Sequence, residues 1–216
     1  MRLRPWVPGA LLLAAAALTL AVRLHGSPWP SELWLVHRVQ ELPAQPWLDV
    51  ARWINRVGGP AIQLPLVGGV ILALAMARLV AEGAVLLWAE LLRLLTEPLK
   101  EFVGGARPGF GVRVVEHATG YGFPSGHATA ATVLGLALAW VAARHIRSTA
   151  WRTLAVGACL LWAVAAGWAR VLVGAHWPVD VLGGWLWGAA FVAVALLVVL
   201  PLASTRGGRA AGGRAR

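Results

Sequence analysis

Along this chain apolar residues run in long blocks, and polar residues gather in the short stretches between them. Six blocks read as helical spans: Pro8–Arg23, Pro60–Val80, Gly83–Leu99, Ala128–Ala143, Thr153–Val171 and Val179–Leu200. Crossing a bilayer takes ~20 largely apolar residues. The third block is the least regular, because Glu90, Arg93 and Glu97 interrupt it. Residues three and four apart share a helix face, and charges at membrane depth turn toward the bundle interior. The third helix is therefore expected to be central. The pattern predicts an all-α fold, an integral membrane bundle of six transmembrane helices occupying residues 1–203.

Between the first two spans lies Gly26–Gly59, rich in Trp and Pro. Trp47, Val50, Ala51 and Ile54 fall on one face at helical spacing, with Asp49, Arg52, Asn55 and Arg56 mostly elsewhere. The expectation is an amphipathic helix in the headgroup layer, anchored by Trp29, Trp34, Trp47 and Trp53. It is either a gate for lipid or a cap on the bundle. The first block, with Arg2 and Arg4 before it, reads as a retained helix; a cleaved leader with the core Leu11–Ala21 is the alternative.

Composition supports the bilayer. The chain is 59% hydrophobic and 13% charged with 13 tryptophans, whereas soluble domains are nearer ~45–50% and ~25%. Its net charge of +10 would suggest nucleic acid in a soluble protein, but the positions of the charges exclude that reading. Arg2, Arg4, Arg78, Arg144, Arg147, Arg152, Arg206, Arg209, Arg214 and Arg216 all fall at ends or turns that alternate counting puts on one side, opposed there by Glu82. The positive-inside rule makes that side cytoplasmic, with both termini inside. Residues 204–216 read as a flexible basic tail able to touch anionic headgroups. Cys159 lies in an apolar block and implies neither disulfide nor thiolate metal site. No obligatory protein partner is expected.

Three polar islands remain, and they carry chemistry: Lys100-x6-Arg107-Pro108, Pro124-Ser125-Gly126-His127, and Arg170-x5-His176-x3-Asp180. With the termini inside, all three emerge on the outer face. Phosphoryl transfer needs cations on the phosphate oxygens, an in-line nucleophile and an acid for the leaving oxygen. Lys100, Arg107 and Arg170 supply the cations, with the Gly104-Gly105 pair breaking the helix after Lys100. Ser125 is placed to N-cap the next helix, whose first turn would offer free N–H groups to an anion and hold His127 beside it. Pro178 suits the first turn of the last helix. The four-residue spacing lets Asp180 meet one nitrogen of His176 while the other faces substrate. His127, His176 and Asp180 could chemically bind zinc, but the surrounding cations argue against a metal. His25, His37, His117 and His145 have no comparable neighbours and read as interfacial or loop residues.

These islands, in this order, resemble the signature of the type-2 phosphatidic acid phosphatase superfamily, related to bacterial acid phosphatases and vanadium haloperoxidases. The resemblance runs from Lys100 to Asp180 and, through the six-span layout, over nearly the whole chain. Ala169 stands where the family often has Ser. The resemblance implies that His176 is the nucleophile forming a phosphohistidine, Asp180 its orienting partner and His127 the acid for the leaving group. Lys100, Arg107, Ser125, Gly126 and Arg170 would hold phosphate, with no metal or other cofactor. It implies a plasma-membrane lipid phosphatase acting on phosphatidic acid, diacylglycerol pyrophosphate, phosphatidylglycerophosphate or polyprenyl pyrophosphate. Two alternatives stay open: a lipid phosphotransferase using the same site, and a non-catalytic membrane protein that binds anionic lipid. Retention of both histidines and Asp180 disfavours the second.

Overall fold

The computed structural model describes residues 4–42, 44–109 and 111–212, with side chains to Ala203. Among these residues every regular element is a helix, in the order α1 (Trp6–His25), α2 (Pro30–Gln40), α3 (Ala44–Gly58), α4 (Pro60–Met76), α5 (Val80–Arg93), α6 (Thr96–Val103), α7 (Gly126–His145), α8 (Thr149–Leu172) and α9 (Pro178–Gly212). Of the basic tail, 204–212 continue the α9 backbone, and 213–216 lie outside the described residues, as do Arg2 and the end of the tail's charge.

Among the described residues four helices are long and apolar enough to cross a membrane: α1, α7, α8 and α9 through Ala203. A fifth crossing arises if Gln45–Gly58 and Pro60–Met76, bent by 54°, act as one broken span. The predicted third span is not one continuous helix. Pro98 has no N–H for Leu94 O, and its ring excludes a carbonyl four residues back. The chain therefore tightens at Leu94–Leu95, where N–H groups reach back three residues to Leu91 and Leu92. The Thr96 hydroxyl takes the Arg93 carbonyl. Glu90 and Arg93 still pair along one face at 2.6 Å, as their spacing suggests.

The central helix is α7, not the predicted third span. In their membrane windows 67% of α7 is buried, against 22% for α1, 33% for α8 and 44% for α9. Its run of Ala, Gly and Thr explains this, because small residues let neighbouring backbones approach. Thr129 and Thr132 turn their hydroxyls onto the carbonyls of Ser125 and Ala128, so α7 buries no unpaired hydroxyl there. Facing it, α9 carries Gly184 and Gly188, where a Cβ would stand 2.8 Å from Ser125 O and from Thr132 Cβ. One apolar cluster, including Val85, Leu86, Val133, Leu134, Phe191 and Leu196, joins α5, α7 and α9. At that end Glu82 of α5 receives His145 at 2.9 Å and Arg144 at 3.7 Å, so His145 does have a partner.

Two helices, not one, fill the segment between the first spans. In α3 the buried positions are Leu48, Ala51, Ile54, Asn55 and Gly58. Trp47 and Val50 remain 43% and 40% exposed, so the stripe is rotated from the predicted one. The reason is α8, whose Ala166, Ala169 and Leu172 cluster with Leu48, Ala51 and Ile54, while Trp168 meets Trp47 edge-on at 6.1 Å.

Candidate active site

Each island sits at an end of a helix, and local sequence explains why. α6 stops after Lys100 because Gly104 adopts φ +67 and returns its N–H to Lys100 O at 2.9 Å. α7 starts on Ser125, whose Oγ accepts from Ala128 N at 3.5 Å. The N–H groups of Gly126 and His127, in the first turn, have no intrahelical acceptor by position. α9 starts on Pro178. Its Val179 N–H is taken by Glu32 Oε1 of α2 at 2.8 Å, and Glu32 Oε2 accepts from Trp29 N. A carboxylate at a helix N-terminus is favoured by the free donors there.

His176 is 2% exposed and Asp180 fully buried. The Asp180 Oδ2 atom lies 3.1 Å from His176 Nδ1 and accepts Trp177 N–H at 3.0 Å. Ser125 N–H donates to the Asp180 backbone carbonyl at 2.9 Å, which ties the second island to the third. Gly122 lets the chain pass over the carboxylate, since a Cβ there would stand 2.8 Å from Oδ2. Arg107 Nη1 lies 2.9 Å from both His176 Nε2 and Ala175 O, and Arg107 Nε donates to Gly120 O. A guanidinium has donors only. Nε2 is therefore the accepting nitrogen, and Nδ1 carries the proton that goes to Asp180. This tautomer turns the Nε2 lone pair toward the cations.

Burial first, then Arg170, Arg107, His127 and Lys100, hold the His176 pKa well below 6.5, so the ring stays neutral. Burial also lowers the Arg107 pKa, while Asp180 and Glu97 act against that shift. Lys100 Nζ pairs with Glu97 at 2.7 Å and lies 3.7 Å from where a Gly126 Cβ would be. Arg170, 5% exposed, pairs with Glu116 at 3.0 Å. The His127 ring faces the Asn55 backbone carbonyl, and Gly58 lies against it, with room for a Cβ at 3.6 Å from Cδ2.

All eight residues singled out in the sequence thus meet at one end of the bundle. Four further residues join them that motif reading missed: Glu32, Asn55, Glu116 and Gly122. Glu116 had a signal, as the acid in a Gly-rich loop between two islands. Asn55 had none, because it reads as the polar face of a surface helix. Among the described residues no three His, Cys, Asp or Glu side chains converge as a metal site would require.

Residues 69–203 match the family model of the PAP2 superfamily, more than half of the chain, and the protein belongs to that superfamily. It is 30% identical to phosphatidylglycerophosphatase B of Bacillus subtilis (strain 168) over 175 residues, 79% of this chain and 85% of that one. It is also 30% identical to YbjG of Escherichia coli (strain K12), provisionally an undecaprenyl-diphosphatase, over 75% of this chain and 70% of that one. A crystal structure of a transmembrane PAP2-type phosphatidylglycerolphosphate phosphatase from Bacillus subtilis matches with TM-score 0.73 and 25% identity, over 88% of this chain and 94% of that one. Aquifex aeolicus LpxE shares the fold, with TM-score 0.64 and 22% identity over 78% of this chain. The chain is a multi-pass membrane lipid phosphatase, a hydrolase of lipid metabolism.

Proposed function

We propose that this phosphatase hydrolyses the terminal phosphate of a phospholipid or prenyl pyrophosphate through a phosphohistidine on His176. The observation that carries the reading is the placement of His176 between two partners, Asp180 Oδ2 at 3.1 Å from Nδ1 and Arg107 Nη1 at 2.9 Å from Nε2. His176 Nε2 attacks phosphorus, the bond to the lipid oxygen breaks, and that oxygen takes a proton from His127. Water then attacks the phosphohistidine, gives its proton back to His127, and orthophosphate leaves. Lys100, Arg107, Arg170, Ser125 and the first turn of α7 hold the phosphate oxygens. These cations neutralise the phosphate charge, as a metal would otherwise do.

In-line displacement puts the leaving lipid opposite His176, on the side of His127. There Asn55 and Gly58 stand at the elbow between α3 and α4, which we take as the lipid's path from the bilayer. An apolar cavity of about 540 Å³ between α2, α8 and α9 abuts Pro178 and Val179, on the attacking side, and is not that path. We further propose six crossings. α5 and α6 together cover Val80–Val103, about 36 Å of helix at ~1.5 Å per residue, enough for a ~30 Å core. The site then faces outward at the plasma membrane and the termini face the cytoplasm. An impermeant thiol reagent should label cysteines placed at the exposed positions 109 and 119 in intact cells but not one at 147; the reverse overturns the topology.

Phosphate release from purified protein in detergent tests the function. Phosphatidylglycerophosphate and undecaprenyl pyrophosphate come first, because relatives act on lipids so named. Turnover should vanish in His176→Ala and survive EDTA. Full activity in His176→Ala, or loss to EDTA that zinc or magnesium restores, overturns the mechanism.

A further inference from the structure

Glu116 is a built-in carboxylate on the deepest cation of the cluster. Its Oε2 accepts from Arg170 Nη1 at 3.0 Å and from Asn55 Nδ2 at 3.2 Å. Its backbone is pinned as well, since Val115 and Glu116 both donate to Val173 O, at 2.8 and 3.3 Å. Asn55 is 6% exposed and comes from α3. The acid is therefore gripped by a loop, an interfacial helix and the buried Arg170. The other cations are arranged differently. Arg107 has no carboxylate in ion-pair contact among the described residues. Lys100 has Glu97, but that side chain is 73% exposed and screened by water.

A phosphoryl group carries ~−1.5 to −2 charges near pH 7. On Arg170 it would share a guanidinium with Glu116, or displace it. Like charges in contact with one cation weaken each other's binding, and least screening occurs where the cation is buried. In a reaction that forms orthophosphate inside a three-cation clamp, a competing carboxylate speeds release.

Resting on the phosphatase reading, we infer that Glu116 is a positioning residue that holds Arg170 in place and competes with phosphate for it. Glu116 sets how tightly product and substrate phosphate bind; it takes no part in bond making.

Glu116→Gln tests this, because the amide keeps the shape and an acceptor for Asn55 and Arg170 while removing the charge. Inhibition by orthophosphate and by vanadate should tighten about tenfold, roughly the effect of 1.4 kcal/mol. KM for a short-chain lipid phosphate should fall, and kcat should fall with it. Titration calorimetry of orthophosphate into both proteins reads the same difference without turnover. Should Glu116→Gln fail to fold, Glu116→Ala replaces it, since the side chain is 33% exposed and water can take its place. Orthophosphate binding that is unchanged or weaker in the folded variant overturns the inference and makes Glu116 a brace. Absence of lipid phosphatase activity in the wild type would instead overturn the proposed function, and the calorimetry keeps the two apart.

Discussion

His176 and His127 face the same cations but are held in opposite ways. His176 is held from within its own turn: Asp180 lies four residues on, Trp177 N–H shares the carboxylate, and the ring is almost wholly buried. His127 leans on the carbonyl of Asn55 and on Gly58, residues of a different helix far up the chain. The proposed attacking side is thus a local, rigid unit, and the proposed leaving-group side depends on where α3 docks. A phosphatase for lipids has reason for that division. The nucleophile needs one tautomer in every cycle, whereas the leaving-group side must admit and release a bulky tail.

The largest effect that would break this comparison is at Asp180. Asp180→Asn should lower kcat by up to ~10⁴-fold by freeing the His176 tautomer, for every substrate alike. Equal kcat in mutant and wild type would mean that the pair does not orient the nucleophile.

On the other side, His127→Gln should slow the first, phosphoryl-transfer step ~10²- to 10⁴-fold, the usual worth of a general acid, but only for alkyl leaving groups. With p-nitrophenyl phosphate, whose leaving oxygen departs without a proton, the first step should hardly slow, and a burst of nitrophenol should persist. A loss of that burst as complete as the loss with lipid would remove His127 from the acid role.

The smallest effect is in pH. His176 must be neutral to attack, and its pKa is held well below 6.5. After allowance for the substrate's own ionisation, kcat/KM should hold as pH falls through 6.5 and drop only well below it. Stability has the same sign. The unfolded ring protonates from 6.5 downward and the folded ring resists, so the contribution is full above 6.5 and is lost progressively on acidification. An acid limb centred at 6.5 would contradict the burial of this ring.

Much of this was legible beforehand, for reasons that particular residues show. The long apolar blocks determine helices in a bilayer, because no other backbone satisfies its own hydrogen bonds there. Gly104 ends α6, Ser125 starts α7 and Pro178 starts α9 as their chemistry requires. The His176–Asp180 pair follows from a spacing of one helical turn. Where the interaction spans only a few residues, the sequence contains both partners and the geometry between them.

What the chain did not disclose involves residues that meet only after packing. Three charged residues in Gly83–Leu99, Glu90, Arg93 and Glu97, suggested a central helix, yet α7 occupies the centre because its small side chains permit the closest approach, and Pro98 breaks the charged span. The apolar stripe of α3 was misplaced because α8 decides which face is covered. Asn55 and Glu116 look like ordinary surface polar residues until α3 and the loop before α7 bring them onto Arg170. Sequence by itself determined the all-α class, most of the helix ends around the site, the class of chemistry and the proposed attacking half of the site. Only the tertiary structure decided the proposed leaving-group half and the pairing of Glu116 with Arg170, because side chains far apart in sequence acquire partners only through the packing of whole helices.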